Sequence, residues 1–153
     1  MKKNLQIGKK IALALMLLVT ASVVNAQTRT ATTDGPWNST TTWGGQSVPT
    51  AATTVIINNN VDVTLPSGAN AVCSSISFAG TAGSINISSG FSLTVSGAIT
   101  VPNQAAASVT ATLAGGGTIN TASIVVGGTV TAPTADRTTI LNTSIANLNV
   151  SGN

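Results

Sequence analysis

Few side chains in this sequence can do chemistry. Beyond Ala26 the charged and thiol groups are Arg29, Asp34, Asp62, Cys73, Asp136 and Arg137, with no Lys, Glu, His or Tyr. Glycoside hydrolysis needs two carboxylates flanking one bond at a set separation, and the three aspartates are widely spaced along the chain. Lyase chemistry on an acidic sugar needs a base and a cation, and Arg29 and Arg137 offer little for that. Asp136 and Arg137 are neighbours and most simply form a loop pair of small energetic weight. With no histidine there is no Ser-His relay, and Cys73 has no base to activate it. Ligand sets of His and Cys are excluded by count, and no acidic loop with calcium-site spacing is visible. The sequence therefore predicts neither a catalytic residue nor a metal or cofactor site. Cys73, as a lone cysteine, cannot form an internal disulfide. It is expected to be a small buried side chain, since nothing nearby lowers its pKa.

The two tryptophans of the chain, Trp37 and Trp43, lie six residues apart in "DGPWNSTTTWGGQSVPTAATTVII", residues 34–57. An indole buries a large apolar area yet wants a partner for its N–H. The pair is expected to plug the open end of a repetitive β structure. The functional alternative is a stacking platform, with Trp37 and Trp43 contacting a carbohydrate ring. Hydroxyl pairs spaced i, i+2 raise a further idea: Thr110 with Thr112, Thr129 with Thr131, and Ser92 with Thr94 and Ser96. Such rows can order water and bind ice, or meet sugar hydroxyls, when they form a flat array. The plainer account is that Thr fits strands and keeps them soluble.

The elements that position these residues are strands. In "VDVTL" (61–65) Val61, Val63 and Leu65 alternate with Asp62 and Thr64, and "SISF" (75–78), "SINIS" (84–88) and "FSLTVSG" (91–97) repeat the pattern. Period-two alternation marks a strand with one buried and one wet face. No window after Gln27 carries a helical stripe, so the fold is all-β. Gly and small polar residues punctuate the strands at 66–68, 80–83, 89–90, 97, 115–117 and 127–128, as turns require. Phrases recur: "SLTVSGAIT" at 92–100, "NLNVSGN" at 147–153 and "GGGTINTASIVVGGTV" at 115–130. Small inward aliphatics and self-similar phrases favour a solenoid of stacked rungs over the alternative, a β-sandwich.

The formal charge of +3 misleads until the chain is divided. Lys2, Lys3, Lys9 and Lys10 precede the apolar run Ile11 to Val24, and a small-residue exit follows at Val24-Asn25-Ala26. That is the layout of a secretory signal peptide cleaved after Ala26. Without it, two arginines and three aspartates leave a net charge of −1. A nucleic-acid footprint is absent, and no transmembrane segment is expected once the signal is cleaved. The chain is expected to be secreted or displayed at the cell surface, with extracellular polysaccharide or a cell surface as its candidate partners.

The stretch "GPWNSTTTWGGQSVPTAATTVIINNNVDVTL" resembles the start of G-eight-type domains and the leading modules of large secreted Bacteroidetes proteins, the type IX secretion cargo among them. The matching residues are Gly35, Trp37, Thr42, Trp43, Gly44, Gly45, Val48, Pro49 and Val55 to Ile57. The resemblance implies a right-handed parallel β-helix with an N-terminal tryptophan-containing cap. An acidic residue usual before the first strand of that pattern is missing from "TAATTV". The expected organisation is a signal peptide over 1–26, a flexible lead-in over 27–33, a cap region over 34–65 and solenoid rungs over 66–153. A downstream part of a longer chain is also expected, because "NVSGN" stops inside an apparent rung. The function these readings give is a non-enzymatic structural or adhesive solenoid segment of a cell-surface or extracellular protein. The alternatives are a carbohydrate-binding module and the N-terminal part of a larger polysaccharide-active enzyme.

Overall fold

In a computed structural model, residues 26–68, 70–103, 108–127 and 138–152 are described. The expected leader lies outside them but for Ala26, as do Asp136, Arg137 and the pair Thr129 and Thr131. The described residues contain no helix. They form ten strands: β1 (Gln27–Ala31), β2 (Gly35–Pro36), β3 (Thr53–Ile57), β4 (Val61–Leu65), β5 (Ala71–Cys73), β6 (Ser75–Phe78), β7 (Ala82–Ile87), β8 (Ser92–Val101), β9 (Val109–Val126) and β10 (Thr139–Val150).

Every pairing among them is parallel. A parallel neighbour needs a crossover, and here each crossover is one circuit of a coil. The pairings sort the strands into three faces. Face A stacks β1, β3, β6, the second half of β8 and the end of β9. Face B stacks β2, β4, β7, the start of β9 and the first half of β10. Face C stacks β5, the first half of β8, the middle of β9 and the second half of β10. The result is a β-solenoid of about four turns. The long strands β8, β9 and β10 are long because they continue around corners, with register shifts at Val95/Ala98 and Ile145/Asn147.

Alternation fixes which side of each face is inside. β4 reads buried-exposed-buried-exposed-buried, and Val61, Val63 and Leu65 are its inward residues. Stacking then builds columns along the axis. On face A, Val55 pairs with Ile76, Ile76 with Ile99 and Ile99 with Ile124. On face B, Val63 pairs with Ile85 and Ile85 with Leu113. On face C, Ala71 pairs with Leu93, Leu93 with Ile119, and Ile119 with Leu148. Each wholly buried Val, Leu or Ile stabilises by about 1.5–3 kcal/mol relative to exposure. β-branched residues suit this packing because their stiff side chains fit a pleated surface. With slender side chains in the columns, two phenylalanines suffice for the entire chain.

The corners are polar and use side chains to complete the backbone pairing. At the A–B corner, Asn59 Oδ1 accepts from the N–H of Thr81 (2.7 Å), the N–H of Ala82 (3.1 Å) and the Thr81 hydroxyl (3.1 Å). At the B–C corner, Asn70 Oδ1 accepts from the Ser92 N–H (2.9 Å) and hydroxyl (3.1 Å). Both amides satisfy donors of the next rung that a turning chain leaves without a ladder partner.

Residues 27–33, expected as a flexible lead-in, are instead partly structured: β1 pairs with β3 and Ala31 is fully buried. The stack also starts earlier than expected, since β3 and β4 lie within 34–65 yet pair with β6 and β7 as ordinary rung strands.

Candidate functional site

The cap is the 37–52 loop, which takes the chain position that a face C strand fills in every later turn. The Trp37 N–H donates to the Thr64 carbonyl at 2.8 Å, prolonging the β2–β4 pairing. Gly35 pairs with inward Val63, so Trp37, two residues on, also points inward. A tight turn then brings Trp43 back. The Gly45 N–H donates to the Thr40 carbonyl (2.9 Å) and the Gly44 N–H to the Thr41 carbonyl (3.1 Å). This is the double bonding of a Schellman closure, and Gly44 supplies its left-handed residue at φ +62°. Gly35 serves a different need: a Cβ there would stand 2.6 Å from the Thr42 hydroxyl oxygen. That hydroxyl donates to the Pro36 carbonyl at 2.9 Å and ties the two ends of the turn.

The indoles sit edge to face, centroids 5.0 Å apart at 76°. Trp43 Nε1 donates to the Trp37 carbonyl at 2.7 Å, so the polar edge of the ring is satisfied inside the protein. Trp37 is 3% exposed and Trp43 1%. Neither ring therefore presents a face to a sugar, and the carbohydrate contact weighed as the alternative role of Trp37 and Trp43 has no surface in this geometry. The plug is the role their placement supports.

Polar groups complete the cap. Arg29 pairs in register with inward Val55, yet its guanidinium reaches the cap loop. Its Nε donates to the Ser47 carbonyl (2.9 Å), and its NH2 group to the Ser47 hydroxyl (2.8 Å) and Gln27 Oε1 (2.8 Å). The one described cation thus belts the first rung to the loop above it. A terminal repeat with a polar outer layer is what a solenoid end needs in water.

The structure brings together two carboxylates that are 28 residues apart in sequence, one full coil in this part of the stack. Asp34 Oδ1 accepts from the backbone N–H of Asp62 at 2.9 Å. Asp62 Oδ1 in turn accepts from the Ser84 hydroxyl at 2.5 Å. Both residues are exposed, and the chain of bonds Asp34–Asp62–Ser84 runs up the start of face B. Sequence reasoning treated these acids as distant. The signal was their spacing, readable only once the length of the first coil is known. Asp34 completes backbone pairing at a corner, as Asn59 and Asn70 do, whereas Asp62 takes a side-chain bond from the next rung.

Cys73 is 1% exposed on face C, and burial pushes its thiol up from 9.0 to about 12. A thiol held neutral in an apolar column is not a nucleophile at ordinary pH. The described hydroxyl pairs do not merge into one array. Thr110 and Thr112 stand outward on face B, and Ser92 and Thr94 on face C. The neighbours of Thr112 in its column are Ser84 and Asn142, and those of Thr94 are Val72 and Asn120.

A shallow groove of roughly 590 Å³ follows the edge of face C near the last turn, lined among others by Thr94, Ser96, Asn120, Asn149, Val150 and Ser151. Asn149 Nδ2 donates to Asn120 Oδ1 at 2.8 Å across two rungs. Among the described residues no group of three or more His, Cys, Asp or Glu is placed to hold a metal. The chain matches no family model, no curated protein and no solved structure.

Proposed function

We propose that the chain is an exported, non-enzymatic structural or adhesive solenoid segment of a cell-surface or extracellular protein. The observation that carries this reading is the character of the outward columns. Along faces B and C they run Asp62–Ser84–Thr112–Asn142, Thr64–Asn86–Ala114–Ser144 and Val72–Thr94–Asn120–Asn149. Hydroxyl and amide groups hydrate such a surface with a single charge in twelve positions, which suits a rigid spacer. The basic, apolar and small-residue blocks of residues 1–26 support export. The likeness of Gly35 to Ile57 to G-eight-type domains supports a place near the start of a large secreted protein. Export is tested directly. Expression of the entire chain in a Gram-negative host is expected to yield exported protein beginning at Gln27 by mass spectrometry. Retention in the cytoplasm with Met1 intact contradicts the reading.

A carbohydrate-binding module is the second reading, favoured by the neutral amide and hydroxyl groove beside Asn120 and Asn149 rather than by the tryptophans. Affinity electrophoresis through gels containing neutral polysaccharides separates the two. Retardation lost in Asn120→Ala supports binding, and unchanged mobility in every gel supports the plain spacer.

A further inference from the structure

Faces B and C carry acid or amide side chains at their outward positions, and face A does not. Its outward residues form two columns that run through all five of its strands. One is Thr28, Thr54, Ser75, Ala98 and Ser123, and the other is Thr30, Ile56, Ser77, Thr100 and Val125. Hydroxyl residues hold seven of these ten positions and small aliphatics the rest, so the face is neutral throughout. Its register is unbroken, because the shift in β8 falls between Val95 and Ala98, at the corner before this face. The columns therefore stay aligned from β1 to the end of β9. Their hydroxyls also differ from those elsewhere in the coil. Thr81, Ser84 and Ser92 bond to Asn59, Asp62 and Asn70. Among the described residues, none bonds to the hydroxyls of Thr28, Thr30, Ser77, Thr100 or Ser123. Those groups are left to water.

We propose that face A binds ice, holding a layer of ordered water in the arrangement of a crystal face. Hydroxyls order water only when they are spaced as water spaces itself. Two O–H···O bonds of about 2.75 Å meeting at the tetrahedral angle set next-nearest oxygens about 4.5 Å apart. Neighbouring strands repeat at about 4.7–4.9 Å, so each column steps nearly in time with that lattice. In the perpendicular direction the same net repeats at about 7.3 Å, against about 6.6 Å between residues i and i+2 of a parallel strand. With two columns that difference arises once and does not accumulate. The threonine methyls, with Ile56, Ala98 and Val125, meet a second need. Water beside apolar surface is restricted in orientation, and no competing bond pulls it off the lattice. A charge would instead turn water radially about itself. β propensity favours Thr on every face, but it does not explain why acids and amides are confined to faces B and C.

Growth of a single ice crystal in a solution of the purified full chain tests this, with thermal hysteresis read on the same sample. The chain is expected to facet the crystal, to hold its growth below the melting point and to partition into the ice. Ser77→Lys places a charge on the middle rung of the face. It is expected to abolish all three effects with an unchanged far-UV spectrum and urea midpoint. Thr28→Lys places one at an exposed position of the first rung, where folding is not at stake, and is expected to lower the hysteresis. Thr112→Lys, at an outward and half-buried position of face B, is the control and is expected to keep the parent values. Round crystals without hysteresis at millimolar chain, full activity in both Ser77→Lys and Thr28→Lys, or an equal loss in Thr112→Lys would each overturn the proposal.

Discussion

Trp43→Ala is the sharpest perturbation of the cap, and its size can be worked from the contacts. Truncating a buried tryptophan costs about 3–5 kcal/mol in lost packing and cavity. The edge-to-face pair with Trp37, at 5.0 Å and 76°, adds about 0.5–1.5 kcal/mol beyond area. Removing the indole N–H also strands the Trp37 carbonyl that it bonds at 2.7 Å, a loss of about 1–3 kcal/mol. These contributions overlap, so the expected total is about 4–6 kcal/mol. A solenoid's stability is a sum of rung and interface terms, so the loss falls first on the capped end. Amide exchange in β1 and β3 is therefore expected to accelerate about a thousandfold, at about 1.4 kcal/mol per factor of ten. Exchange in β7 and the middle of β9 changes far less. Trp43→Phe keeps a ring and loses the N–H, and is expected to cost about 1–3 kcal/mol. Hydrogen exchange by mass spectrometry, with urea unfolding followed by far-UV circular dichroism, reads both. Unchanged β1 exchange and an unchanged urea midpoint in Trp43→Ala would refute the cap.

Cys73 makes a clean titration, because no Lys, Tyr or His lies between Gln27 and Asn153. With the folded thiol near 12 and the unfolded value at 9.0, both states hold the proton below pH 9 and its stabilising effect is complete there. Above pH 9 the unfolded chain ionises first, so stability is expected to fall by about 1.4 kcal/mol per pH unit up to pH 12. Cys73→Ala is expected to remove that slope in urea melts, and a thiol reagent at pH 8 is expected to label only the unfolded protein. Asn59→Ala takes away one acceptor shared by three donors and is expected to cost about 1–2 kcal/mol by the same melts, a partly exposed corner lying low in the usual range. Gly44→Val at φ +62° is expected to cost more than about 1–2 kcal/mol, because a β-branched residue is especially strained there.

The alternation of Val61, Val63 and Leu65, and of Ile85 and Ile87, was legible because one buried face imposes a period of two whatever the topology. The phrases "SLTVSG" and "NLNVSG" were legible for a stronger reason. Ser92 and Asn147 both pair with Thr118, so the two phrases occupy the same face and corner one coil either side of it. The three-faced cross-section was not legible. Successive strands of faces A and B have three residues between them in the early turns (57 to 61, 78 to 82) but are further apart in sequence later (101 to 109, 126 to 139). Unequal spacing of this kind blurs the repeat in the sequence while the strand pairing is kept. The neighbourhood of Asp34 and Asp62 was hidden for another reason, since the 37–52 cap loop sets the length of the first coil. The buried state of Trp37 and Trp43 followed from residue type, whereas the Schellman turn that returns Trp43 to Trp37 depends on φ at Gly44. The strand β1 was missed because "QTRTA" has one apolar residue, and its inward polar groups serve the cap.

Inter-rung backbone contacts measured by nuclear magnetic resonance bear most directly on the parallel coil. Nuclear Overhauser effects are expected to link Val63 with Ile85, Ile85 with Leu113 and Leu113 with Thr143, each with parallel geometry. Close Hα–Hα contacts between successive strands such as β3 and β4, the mark of antiparallel hairpins stacked in two layers, would contradict it.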